Sequence, residues 1–248
     1  YCIYLMSKSR PNSDINFSKV RYIVNTYAKP YFSCFLDERY TLSIIPKIEG
    51  ANISIHILIN FKSKSPDWCN YNGKKCNPEL LGSINIKNMS GYISMMKVGY
   101  WIPDEIPDDI HRETSDHFNN KGIGQYLMLL FFYICCWCNI KEIELDDMSN
   151  NPHFYKKLGF NYIEKDSPPE MIVDLYKDDA FKYIYTILNK IISKTTNEKW
   201  KWNKKCLKLI PPNPSTIVQE SGKGRIKKKQ KKSKLKKRRK TKTKTKGK

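Results

Sequence analysis

Several things are missing from this chain, and each absence narrows what it does. Its longest apolar run, Leu127–Cys138, falls short of the roughly 20 residues needed to cross a bilayer and suits a buried helix better. Cys135 and Cys138 have CxxC spacing, but no second such pair completes a four-ligand zinc framework. Gly122 and Gly124 are not followed by the Lys and Ser/Thr of a Walker loop. The third small residue of a dinucleotide fingerprint is also missing, because Leu127 stands there. No internal repeat is present, which argues against a solenoid or propeller. The first residues, YCIYLMSKSRPN, lack the charged leader and small-residue cleavage site of a secretory signal. The first residue is Tyr1 and not a Met, so residues upstream are expected.

Acidic residues are absent from the end of the chain. The 248 residues carry a net charge of +21, yet Lys223–Lys248 contain 17 Lys or Arg and no Asp or Glu. Removing those 17 charges from +21 leaves +4 for the rest. A nearly ordinary globular body, 40% hydrophobic, therefore carries a strongly basic tail. With almost nothing to bury, residues 223–248 are expected to be disordered. The tail's charge suits a polyanion, with nucleic acid preferred, bound without sequence preference. No aromatic residue interleaves the tail to stack on bases. KKRRK, Lys236–Lys240, passes as a nuclear localisation signal. An intracellular location is expected, either nuclear or in nucleic-acid-rich cytoplasm. The cysteines read most simply as reduced, although Cys69 and Cys76 flank a short loop and are able to pair with each other.

The periodicity predicts mixed helices and strands. YCIYLMS suggests a first strand. FSKVRYIVNTYAKP predicts a helix closed by Pro30. YTLSIIPKI and NISIHILINF read as strands, with Ile53, Ile55, Ile57 and Ile59 on one face. A polar loop follows from Lys62 to Pro78. ELLGSINI and YISMMKVGYWI predict two more strands, with a turn containing Asn88, Ser90 and Gly91. Pro103–Asp116, with two prolines and six carboxylates, reads as a solvated loop. Next come the apolar helix, a strand in IKEIEL, a short helix in PHFYKKLG, strands in FNYIEK and EMIVDLYK, and an amphipathic helix in DDAFKYIYTILNKIISK. The expected class is α/β of a mixed, α+β-like kind.

Two stretches carry chemistry. FNNKGIGQ, residues 118–125, places a glycine pair at the mouth of the apolar helix. The first amides of a helix lack internal partners and suit an anion. One helix and one strand later comes SNNPHFYKKLGFNYI, residues 149–163. NNKGIG resembles the Q/R-x-x-G-x-G/A loop of the GNAT superfamily of N-acetyltransferases. Phe154, Tyr155, Lys157, Gly159 and Phe160 match that family's F-Y-x-K-x-G-F motif. The order of the elements is also similar. The resemblance is specific over Phe118–Ile163 and vaguer back to Ile53.

It implies a GNAT-type central mixed sheet flanked by helices in residues 1–178. A C-terminal amphipathic helix and extension (179–208), a Pro/Ser/Gly linker (209–222) and the basic tail (223–248) would follow. It also implies acetyl-CoA as cofactor, with the pyrophosphate held by Asn119, Lys121, Gly122, Ile123, Gly124 and Gln125. Asn150 or Asn151 would lie on the pantetheine arm or simply cap the helix. Asn151 is the expected contact, although Met148 occupies the family's usual Asn position. Tyr155 would protonate the leaving thiolate, and transfer to the amine would be direct. The acceptor is a protein lysine, an N-terminus or a polyamine-like amine.

The chain departs from the pattern at Asn119, where Gln or Arg is usual, and in the insertion Pro103–His117. That insertion holds Glu105, His111, Glu113, Asp116 and His117, among which no general base is singled out. Its carboxylates are suited to drawing in a cationic amine. The alternative is an acetyltransferase-like body without catalysis that binds nucleic acid through its tail.

Overall fold

The computed structural model describes residues 16–99, 107–147, 152–163, 169–175, 180–194, 199–209 and 211–212. Two units are distinguished, Tyr1–Pro211 and Pro212–Lys248, and the elements below all lie in the first. The expected strand at YCIYLMS, Asn150, Asn151, the linker's residues 213–222 and the tail lie outside the described residues.

A seven-stranded mixed sheet organises the first unit. It is built from β1 (Tyr40–Glu49), β2 (Asn52–Phe61), β5 (Glu79–Asn85), β6 (Ser90–Lys97), β7 (Glu142–Asp146), β8 (Asn161–Tyr162) and β9 (Glu170–Asp174). Their order is β1-β2-β5-β6-β7-β9-β8. The alternation in β2 buries all four isoleucines and leaves His56 and Leu58 half-buried on the other face. Neighbouring strands are antiparallel except β6 and β7, which are parallel from Ser90↔Glu142 to Ile93↔Leu145. That parallel pairing ends beside a bulge. Between β5 and β6, Leu81 faces Met95 and Gly82 faces Ile93, so Ser94 is the extra residue. Its hydroxyl donates to the Leu81 carbonyl at 3.1 Å. A bulge bends its strand and raises the local twist. β6 runs on to Lys97 along β5, without β7 at its other side.

The helix α4 (Ile123–Trp137) connects β6 to β7 after α3 (Asp108–Phe118). It is apolar all round because it is covered all round. Phe131 lies against Gly82, where an added Cβ would stand 2.6 Å from the ring. On its other side, Phe32 of α2 (Lys29–Ser33) meets the rings of Tyr126 and Tyr133 edge-on. The Tyr126 hydroxyl donates to the Phe32 carbonyl at 2.9 Å. The helix α6 (Ala180–Lys194) buries Ile184, Leu188, Ile191 and Ile192 and packs on α4. This is the mixed sheet flanked by helices that the sequence pattern implied.

Four local expectations change. Pro30 does not close the first helix. The chain passes from α1 (Phe17–Ile23) through a π turn (Val24–Ala28) into α2, with Pro30 in the first turn of α2. A wide turn placed just before a proline accommodates its missing N–H and its ring. Ser90 and Gly91 belong to β6, not to a turn; the turn is Ile86–Met89, where Asn85 accepts from the amides of Lys87 and Asn88 at 3.0 Å each. The loop from Lys62 to Pro78 contains a small hairpin, β3 (Asn70–Tyr71) and β4 (Lys74–Lys75). It turns at Asn72-Gly73, both at positive φ, as the Asn-Gly dipeptide favours. Cys69 and Cys76 are joined by a disulfide across its ends, with Cα atoms 4.9 Å apart.

The fourth change concerns the acidic stretch, which is helical from Asp108 onward. Pro107 is its N-cap, and Asp108 and Asp109 lie in its first turn, where carboxylates favour the positive end of the helix dipole. Thr114, His117 and Phe118 form its buried face.

Candidate functional site

After α3 ends, four turn residues lead into α4. Asn119 is the C-cap of α3, and its amide donates to the Ser115 carbonyl at 2.8 Å. Asn120 follows at φ 59, then Lys121, then Gly122 at φ 77 as the N-cap of α4. The first helical bond runs from the Tyr126 amide to the Gly122 carbonyl at 2.9 Å. No side chain caps this end. The amides of Ile123, Gly124 and Gln125 therefore have no partner within the helix. They are the donors that a phosphate group would meet.

Side chains arriving from elsewhere crowd both glycines, and at Gly122 they leave no room for a Cβ. At Gly122 an added Cβ would stand 2.2 Å from Ile191 Cγ2 of α6, and the left-handed backbone alone already favours glycine. At Gly124 an added Cβ would meet Phe154 Cζ at 3.2 Å and Met96 Sδ at 3.4 Å. In the structure the space beside the two glycines is taken by Ile191, Phe154 and Met96, which leaves the amides of Ile123, Gly124 and Gln125 as the groups able to meet a ligand.

The contact at Gly124 joins the two motifs. Phe154 belongs to α5 (Pro152–Lys156), and Met96 lies beyond the point where β6 parts from β7. The loop therefore stands at the carboxyl end of β6, a location where open α/β sheets commonly place ligands. The FYKKLGF stretch explains its own shape. The Leu158 amide donates to the Tyr155 carbonyl at 2.8 Å, and the Phe160 amide donates to the same oxygen at 3.2 Å. Gly159, at φ 88, reverses the chain between these bonds and Asn161. Phe160 then packs on Phe132 of α4, with ring centroids 5.7 Å apart. Tyr155 sits edge-on to both Phe154 and Phe160 and is only 8% exposed.

The remaining expected residues are dispersed or engaged. Lys121 is half-buried, and its carbonyl accepts from Trp202 Nε1 at 3.0 Å. Gln125 is half-buried and Asn119 is exposed. Glu105 lies outside the described residues. Glu113 and Asp116 face Lys199 at 3.0 and 3.6 Å. His117 is 7% exposed, and its Nε2 is hydrogen-bonded to the Tyr40 hydroxyl. It lies among Phe61, Trp68, Phe118 and Trp200. Burial, with Arg39, Lys199 and Lys121 nearby, pushes its pKa down to about 4. This is a core histidine, and it is no longer a candidate for the base.

One feature near the strand divergence was missed by sequence reasoning. The Tyr92 hydroxyl donates to Asp146 at 2.7 Å, which pushes the Tyr92 pKa up to about 12. Crowding by burial, Glu142 and Glu170 also raises Glu144. The alternation EIELD signals that Glu142, Glu144 and Asp146 share a face. It does not signal that β6 places Tyr92 beside them.

No protein-family model and no curated protein matches the sequence. Solved structures similar to the chain include the following three. GCN5 from Tetrahymena is 15% identical over 52% of this chain and 71% of its own, with a TM-score of 0.32. Ard1 from Thermoplasma volcanium is 18% identical over 48% and 69%, with a TM-score of 0.28. The ribosomal-protein-S18-alanine N-acetyltransferase from Escherichia coli is 12% identical over 65% and 91%, with a TM-score of 0.30. At such scores and identities, the motif residues remain the ground for any reading of function.

Proposed function

We propose that this protein is an acetyl-CoA-dependent N-acetyltransferase. The observation that carries the reading is the meeting of the two motifs at Gly124, beside uncapped helix amides at the parting of β6 and β7. The donor set fits the cofactor's pyrophosphate: the amides of Ile123, Gly124 and Gln125, the positive end of the α4 dipole and the charge of Lys121. Acetyl-CoA supplies an activated acyl group that an amine can take up. Tyr155, next in sequence to Phe154, would be the general acid that protonates the leaving thiolate. The acceptor is an amine: a protein lysine, an N-terminus or a polyamine-like molecule. Residues 223–248 would hold the protein on nucleic acid by charge, in a nuclear or nucleic-acid-rich compartment.

One observation favours a second reading. Packing already demands Gly122 and crowds Gly124, so the two glycines do not by themselves require a ligand. A body without catalysis that serves a nucleic-acid-binding tail has the same packing needs.

Calorimetric titration of acetyl-CoA into the full chain at raised salt separates the two. The informative variant is Gln125→Pro. It removes one amide donor in the first turn, where no helical bond is lost, and leaves both glycines in place. The enzyme reading expects wild-type binding and at least a tenfold weaker affinity in the variant, in line with about 1.5–3 kcal/mol for a charge-assisted bond. Absence of binding by the folded wild-type chain sinks it.

A further inference from the structure

The segment after α6 lies as a strap across the start of the sheet. Leu36 and Trp202 form an antiparallel bridge, and the Asn203 amide donates to the Phe35 carbonyl at 2.8 Å. Asn203 also caps a 3-10 turn, Lys204–Lys208, by accepting from the Lys205 amide at 3.2 Å. Trp202 reaches from this strap to the Lys121 carbonyl in the glycine loop. The Tyr31 and Tyr185 hydroxyls donate to the Leu209 and Leu207 carbonyls at 3.4 and 3.1 Å.

Two free cysteines meet at this junction. Cys34 ends α2 and is half-buried; Cys206 lies in the 3-10 turn and is buried. The Cys206 thiol donates to the Cys34 carbonyl at 3.0 Å, which sets the Cys206 sulfur against residue 34. Asn203 Nδ2 lies 3.8 Å from the Cys206 sulfur. The pair stands apart from the Cys69–Cys76 disulfide and from Cys135, Cys136 and Cys138, which lie at the end of α4.

We infer that Cys34 and Cys206 are a reversible disulfide site that locks the C-terminal strap to the end of α2. The oxidant is a small disulfide of the glutathione class. The Cys34 thiolate, on the more accessible side, attacks one sulfur of that disulfide and releases one glutathione thiolate. The Cys206 thiolate then attacks the Cys34 sulfur of the mixed disulfide and releases the second. Two protein thiols are oxidised to one cystine, one small disulfide is reduced to two thiols, and the two protons pass to those thiols. Burial and the neighbouring Cys206 push the Cys34 thiol up. Exchange is therefore slow at neutral pH and quickens as pH rises. The closed bond spans 172 residues of sequence, a long loop whose cross-linking restricts the unfolded chain.

The test incubates the full-length protein with oxidised glutathione at mildly alkaline pH. Free thiols are then alkylated, and the peptides are mapped without reduction. The expected result is a peptide pair joined through Cys34 and Cys206. A melting temperature about 5 °C or more above that of the equally treated Cys34→Ser and Cys206→Ser variants should accompany it. Should one serine variant fail to fold, the other supplies the comparison. Alkylated thiols at both positions, a lasting glutathione adduct at Cys34, or a cross-link to another cysteine overturns the inference.

Discussion

Replacing Gly122 by alanine tests the central contact of the glycine loop. The residue sits at φ 77, and a left-handed backbone costs a residue with a Cβ about 1–2 kcal/mol. The new methyl would also stand 2.2 Å from Ile191 Cγ2. At that separation either the α6 side chain or the loop must move, and overpacking of this kind costs about 1–3 kcal/mol. Together, Gly122→Ala is expected to lose about 2–5 kcal/mol, a large part of the roughly 5–15 kcal/mol that holds a domain folded. The two contributions separate in a cycle with Ile191→Ala, which removes Cγ2 and leaves the backbone cost. Urea unfolding of all four proteins should give a coupling of about 1–3 kcal/mol that reduces the cost of the double variant. Equal costs of Gly122→Ala in both backgrounds would refute the contact. A loss below about 1 kcal/mol in the wild-type background would refute the left-handed cap as well.

The position two residues on should behave differently. Gly124→Ala meets the far end of the Phe154 ring at 3.2 Å, so its stability to urea unfolding should change by less than about 1 kcal/mol. Gly124→Glu should abolish acetyl-CoA binding in calorimetry while unfolding stays cooperative; retained affinity would detach the loop from the cofactor. Tyr155→Phe should lower kcat about 100-fold or more, with the acetyl-CoA Kd unchanged, and equal turnover by the two proteins would remove Tyr155 from the chemistry. His117 should make stability depend on pH. Its pKa is depressed from an ordinary 6.5 to about 4 when folded, so its contribution is whole above pH 6.5 and is lost as pH falls towards 4. The loss approaches about 3 kcal/mol, and it should be missing from His117→Gln when unfolding is compared at pH 7.5 and pH 4.5.

Local pattern and distant contact explain what was and was not legible in the sequence. The isoleucine alternation of β2 and the apolar run of α4 announce themselves, because burial imposes a period on neighbouring residues. The helix α3 does not. Its inner face is only Thr114, His117 and Phe118, in a stretch otherwise dominated by charge. The partners of that face, Tyr40, Trp68 and Trp200, come from three separate parts of the chain. Pro30 misleads for a related reason: a proline reads as a stop locally, whereas the neighbouring π turn and the packing of Phe32 against α4 carry the helix through it. At the glycine loop the sequence locates the feature but not its cause. Nothing near residue 122 in the sequence indicates that Ile191 fills the space beside it. The same packing that makes the loop recognisable thus weakens the glycines as evidence of a ligand. What favours a cofactor is instead the set of three uncapped amides and the position of α5, which a purely structural glycine turn has no need to bring to the carboxyl end of β6.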